Sequence, residues 1–180
     1  MRHIISILIE NEAGALSRVS GLFSARGYNI ESLTVGRTLD PTLSRMTICV
    51  DVEPRLRPLL IKQMNRLVNV LQAHDLTEAP AVIREMVLLR IRVSLENRTA
   101  ILKEAEIFGA RVVDSSVDGF ALEASGDPEK LEEFVAVMQT YGDIEVTRSG
   151  LVAVSLEPRK LKLAPPIPKG HSESEPVHTR

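Results

Sequence analysis

The chain has 180 residues, 44% of them hydrophobic and 26% charged, a balance that supports folded domains and excludes a wholly disordered protein. Lys and Arg number 22 against 24 acidic residues, for a net charge of −2, which argues against the basic face of a nucleic-acid binder. The single cysteine, Cys49, excludes internal disulfides and multi-cysteine metal sites, and no apolar run reaches the roughly 18 residues of a membrane span.

Aromatic residues make up 3% of the chain and Trp is absent, so the core must be aliphatic. The first ten residues lack the long apolar stretch and small-residue cleavage site of a signal peptide. A cytoplasmic protein is therefore expected.

His3 to Ile9 is a short, nearly continuous apolar run, the pattern of a strand covered on both faces. Asn11-Glu12-Ala13-Gly14 ends it, and Leu16, Val19, Leu22 and Phe23 then recur at helical spacing up to Gly27. Tyr28 to Arg37 and Ser44 to Val52 read as strands joined by a turn at Pro41. Leu59, Met64, Leu67 and Val68 mark a second helix, and Asn69 to Leu76 a fourth strand. The order is β-α-β-β-α-β.

After a joint at Glu78-Ala79-Pro80 the same order recurs. Ile83 to Ser94 is strand-like, and Asn97 to Phe108 helical with Ile101, Leu102 and Ala105 on one side. Ala110 to Ser115 and Gly119 to Ser125 are strands. Asp127 can cap a helix that Pro128 opens, with Leu131, Phe134, Val135 and Met138 at helical spacing. Ile144 to Leu156 reads as one closing strand. The fold class expected is α+β: two ferredoxin-like βαββαβ domains in tandem, residues 1–78 and 79–157. Residues 158–180, rich in Pro, Ser and Glu, are expected to form a disordered tail.

Catalytic motifs are missing: the sequence holds no GxSxG, HExxH, P-loop or GxGxxG. Cys49, flanked by Ile48 and Val50, reads as a small hydrophobe and His3 as structural. No catalytic residue and no metal ligand is assigned. The feature above background is the first strand-to-helix loop. Gly14 stands where backbone N–H groups lack helical partners and favour a carboxylate, and a glycine there admits close approach. Asn11 and Asn29 offer side-chain amides that suit an amino acid zwitterion. The same residues also serve as a helix cap and turn residues in an unliganded protein. Tyr28 to Leu33 carries an apolar edge strand, which invites pairing with a second copy and a symmetric dimer.

Asn11-x-x-Gly14-x-Leu16-x-Arg18-Val19-x-Gly21-Leu22-Phe23, followed by Arg26-Gly27-Tyr28-Asn29-Ile30-Glu31-Ser32-Leu33-Thr34-Val35 and Ser44-Arg45-Met46-Thr47, resembles the small regulatory subunits of acetolactate (acetohydroxyacid) synthase. Arg84-Glu85, Val113-Asp114 and Glu145-Val146-x-Arg148-x-Gly150 extend the resemblance to about Val154. It implies an N-terminal ACT domain and a second, ACT-like domain. It further implies that valine, or another branched-chain amino acid, binds at a homodimer interface. Asn11 and Gly14 of one subunit and Asn29 of the other would hold it, with Ala13, Ala15, Leu16 and Ile30 lining the site. The implied partner is the large catalytic subunit, which would carry thiamine diphosphate and magnesium, convert pyruvate to 2-acetolactate, and be activated and made valine-sensitive by this chain. The chain itself would bind no cofactor, nucleic acid or membrane. Two other readings stay open: an amino-acid-sensing transcriptional or signalling regulator, and a small independent enzyme.

Overall fold

The computed structural model describes residues 2–157; the tail expected from Pro158 onward lies outside them. The first domain comprises β1 (Arg2–Glu10), α1 (Ala15–Ser24), β2 (Asn29–Arg37), β3 (Leu43–Asp51), α2 (Arg57–Met64) and β4 (Val70–Asp75). Its sheet runs β2-β3-β1-β4 with antiparallel neighbours. The first and third strands are thus central, and β2 is an edge.

Ile5, Ile7 and Ile9 alternate along β1 and meet Val19, Leu22 and Phe23 of α1 and Leu60 and Met64 of α2 in one core. His3 is enclosed at the same strand, and its Nε2 donates to the Val52 carbonyl at 3.2 Å. On α2 the buried pair is Leu60 and Met64, four residues apart, while Leu59 and Val68 are exposed. Val68 lies beyond the helix, which stops at Met64; the apolar spacing alone overran that end.

The second domain repeats the pattern with β5 (Ala81–Arg92), α3 (Arg98–Ile107), β6 (Arg111–Ser116), β7 (Gly119–Gly126), α4 (Pro128–Gln139) and β8 (Ile144–Arg148), in sheet order β6-β7-β5-β8. Val87, Leu89 and Ile91 pack against Ile101, Leu131, Phe134 and Met138 in a separate core. Asp127 caps α4 as its sequence implies, its carboxylate accepting from the Glu129 N–H at 3.1 Å.

The expectation of one closing strand from Ile144 to Leu156 is corrected. The chain breaks at Ser149-Gly150-Leu151 and resumes as β9 (Val152–Ser155), which pairs with the start of β5. Gly150 takes φ +78°, a left-handed conformation that ends a strand and favours glycine. The ribbon of β5 and β9 lies on the first sheet's second face. Ala153 and Ser155 share a cavity there with Ser6, Gln72 and His74, and Ser6, Leu8, Thr47 and Cys49 are buried. This explains the unbroken apolar run of β1: helices cover one face and the ribbon the other.

Candidate functional site

The loop from Asn11 to Gly14 leaves β1 at the end where Glu10 pairs with Leu43. The Asn11 N–H donates to the Thr42 carbonyl at 2.7 Å, and its Nδ2 to the Pro41 carbonyl at 3.0 Å. Asn11 therefore ties the loop to the turn between β2 and β3 and is not the helix cap. That turn is itself braced: the Asp40 carboxylate accepts from the Thr42 hydroxyl at 2.6 Å and its N–H at 2.9 Å. Those two bonds hold the Asp40 carboxyl below its ordinary pKa.

Gly14 occupies the cap position of α1 at φ +84°, with no atom within 4 Å of where a Cβ would stand. The loop residues Asn11, Glu12, Ala13 and Gly14 are all exposed. Leu16 is 45% exposed although it is the first large apolar residue of α1. Ala15 instead turns its methyl group into the core. Arg18 is not a free cation over this loop: its guanidinium donates to Asn69 Oδ1, and Asn69 in turn donates to Glu10 at 2.8 Å.

Asn29 and Ile30 are elsewhere. Asn29 opens β2 opposite Asp51, which pairs with Arg2 at the far end of β1. Eight residue steps along β1 separate the level of Arg2 from that of Glu10, about 26 Å at ~3.3 Å per residue. One chain brings Asn11, Ala13, Gly14 and Leu16 together. It does not bring Asn29 or Ile30 to them.

The corresponding loop of the second domain differs. Ser94 leads through a 3-10 turn, Leu95–Asn97, to α3 with no left-handed glycine. Arg98, the first residue of α3, lies 4.2 Å over the Phe120 ring and donates to the Ser116 carbonyl at 2.8 Å. The second domain repeats the fold without repeating the open loop.

Between the domains lies a cavity of about 540 Å³ whose lining includes Arg2, Glu31 and Cys49 on one side and Glu85, Arg148 and Leu151 on the other. Glu85 is 6% exposed and accepts from Arg148 at 3.2 Å, and Arg148 also reaches Glu132 at 2.9 Å. Burial, then the neighbouring Glu31 charge, pushes the Cys49 thiol up to about 11. Its thiolate is then about one part in a few thousand at pH 7.5, and only the thiolate reacts. Labelling of Cys49 by a disulfide reagent at pH 7.5 is expected to run at least ~100-fold slower in the native protein than in denaturant; similar rates would show the thiol to be accessible and ionised. Among the described residues no group of three or more His, Cys, Asp or Glu is placed to hold a metal ion, and no helix is long and apolar enough to cross a membrane.

Sequence reasoning missed the residues that join the domains. Ser32 and Thr34 look like the polar alternation of an edge strand, and Leu151 like one more strand residue. The available signal was Gly150, because a glycine inside an apparent strand marks a bulge or a close backbone approach.

Two ferredoxin-like domains, the first with an open glycine loop at its leading helix, define a tandem ACT-type protein. A family model described as an AHAS small subunit-like ACT domain matches residues 5–72, and one described as the small subunit of acetolactate synthase matches residues 84–157. The chain belongs to the acetolactate synthase small-subunit family. It is 43% identical over 162 residues to the acetolactate synthase small subunit of Mycolicibacterium smegmatis, covering 90% of this chain and 95% of that one. It is 44% identical over 156 residues to the acetolactate synthase isozyme 3 small subunit of Escherichia coli, covering 86% and 96%. The crystal structure of the Thermotoga maritima acetolactate synthase small subunit superposes with a TM-score of 0.76 at 34% identity, covering 86% of this chain and 97% of that one.

Proposed function

We propose that this chain is the regulatory subunit of an acetolactate synthase and that it senses valine across a pair of its own copies. The observation that carries the reading is the separation of the Gly14 loop from Asn29 along one sheet. Antiparallel pairing of two β2 edges about Leu33 sets Asn29 of one copy opposite Arg37 of the other. Arg37 is in register with Ser44, and Ser44 with Ile9, so that Asn29 reaches the loop end of its partner. The bonds of Asn11 to Pro41 and Thr42 hold the loop toward the same edge.

In this arrangement the backbone N–H groups at the start of α1 receive the valine carboxylate, favoured by their unpaired donors and the helix dipole. The side-chain oxygens of Asn11 and Asn29 accept from the ammonium, and the exposed Leu16 and half-buried Ile30 enclose the isopropyl group. The chain contributes no catalytic residue and binds no cofactor. Thiamine diphosphate, magnesium and the conversion of pyruvate to 2-acetolactate belong to the large catalytic subunit, which this chain activates in the cytoplasm and renders valine-sensitive. Feedback inhibition follows if valine favours one arrangement of the assembly, since a ligand indifferent to both shifts nothing.

A thermal-shift series with valine, leucine, isoleucine and an unrelated amino acid tests the reading. At 100 times its dissociation constant a ligand stabilises the fold by about 2.7 kcal/mol. A raised midpoint is expected with valine and, to a smaller extent, the other branched-chain amino acids, because one methylene is worth only about 1–3 kcal/mol. An equal response to the unrelated amino acid, or none to any, would contradict it.

A further inference from the structure

The edge strand β2 carries Asn29 and Ile30 at its start and meets the second domain a few residues later. The Thr34 hydroxyl donates to the Leu151 carbonyl at 2.5 Å, and the Leu151 N–H donates to Ser32 Oγ at 3.3 Å. Among the described residues, these two hydrogen bonds between β2 and the second domain end on one residue, whose side chain is buried. Gly150 lets its backbone lie close against the Ser32 and Thr34 side chains: a Cβ there would stand 3.2 Å from Thr34 Cγ2 and 3.4 Å from Ser32 Cβ.

The two sides of this contact are held differently. Ser149 exchanges two bonds with Met86 of β5, N–H to carbonyl and N–H to Oγ, both at 3.0 Å. Leu151 is thus flanked on both sides by residues held to the second domain's central strand, Ser149 before it and β9 after it. On the other side, β2 carries a register shift between Ile30 and Ser32, with Glu31 as the extra residue. Such a bulge bends the strand and re-aims its side chains. Beside it, the 540 Å³ cavity leaves the wall of Glu31 and Cys49 unpacked against that of Glu85 and Arg148. The second domain thus touches β2 firmly at Leu151 and is separated from its bulge by open space.

We propose that the Ser32–Thr34–Leu151 contact is the relay by which the effector end of β2 sets the position of the second domain, and hence the response of the catalytic partner. The inference rests on the valine site proposed above. Ligand contacts at Asn29 and Ile30 move the bulged strand; the two hydrogen bonds, made or broken as a unit, pass that movement to Leu151 and through Ser149 to β5. Ser32 and Thr34 touch no ligand here and are positioning residues.

The test is a Ser32→Ala, Thr34→Val double variant reconstituted with the catalytic subunit and compared with wild type. The variant is expected to bind valine with a dissociation constant within about threefold of wild type and to keep its activation, while the activity removed by saturating valine falls by at least about half. Thr34→Ser, which keeps the hydroxyl, retains the wild-type response. Full inhibition with an unchanged valine midpoint in the double variant would overturn the relay alone; a wild-type chain that neither binds valine nor confers inhibition would overturn the valine site and the relay together. Should the double variant melt early, amide exchange of wild-type Leu151 gives the answer: an approximately fivefold change on adding valine is expected, and no change overturns the relay.

Discussion

Gly14→Asp is expected to raise the valine concentration for half-maximal inhibition of the reconstituted synthase at least ~100-fold, about 2.7 kcal/mol, while activation persists. Gly14 caps α1 at φ +84°, and a Cβ added there has no atom within 4 Å. A left-handed backbone costs an ordinary residue about 1–2 kcal/mol, and Asp is among the types that tolerate it best. An aspartate at a cap offsets part of that by accepting from the first-turn N–H groups. The fold should therefore survive. The effector's carboxylate then meets those N–H groups already engaged and a like charge beside them, and two such charges about 4 Å apart near a protein surface repel by ~4 kcal/mol. Valine titration of the variant holoenzyme checks this. Unchanged inhibition would remove the carboxylate from this loop.

Phe134→Ala should produce a large loss of stability, and in one domain. Phe134 is fully buried in the second core, its ring 5.5 Å from that of Phe108 at 54°. Truncating such a side chain removes its transfer energy and leaves a cavity, for about 3–5 kcal/mol in all. That is a large part of the 5–15 kcal/mol that holds a typical domain. The first domain has its own core, built from Phe23 and the β1 isoleucines, and distant sites are additive within about 0.5 kcal/mol. Scanning calorimetry should show one transition lowered by roughly 12 °C or more while the other stays in place. A single transition that moves as a whole would show that the ribbon of β5 and β9 welds the two cores into one cooperative unit.

The repeat of βαββαβ was legible because each element carried its own local signal. Asp127-Pro128 declared a helix start, and the run from His3 to Ile9 declared a strand covered twice. Side-chain periodicity misplaces residues where tertiary context overrides it. Leu16 and Leu102 have helical spacing yet stand half-exposed, with Ala15 and Ile101 taking the core positions beside them. Apolar residues that carry on past Gly150 predict one continuous last strand; where it breaks, the chain meets Ser32 and Thr34, more than a hundred residues away in sequence. The candidate site is the same case in stronger form. Asn11, Gly14 and Asn29 were visible as residues, and the loop near Gly14 as a place for a carboxylate. The edge strand and the resemblance already assign Asn29 to a second copy; the strand register adds that within one chain it lies at the opposite end of the sheet from the loop.

Completion of the effector site by a second copy is put to the test by mixing two defective chains. Gly14→Asp damages the loop half of the site and Asn29→Ala the strand half, and each homodimer should bind no valine by titration calorimetry. In a mixed dimer one site collects both lesions and the other none. After unfolding and refolding the two chains together, about one valine per mixed dimer should bind with near wild-type affinity. Failure of the mixture to bind any, with wild type binding normally and dimer exchange verified, would show that Gly14 and Asn29 do not share a site across two copies.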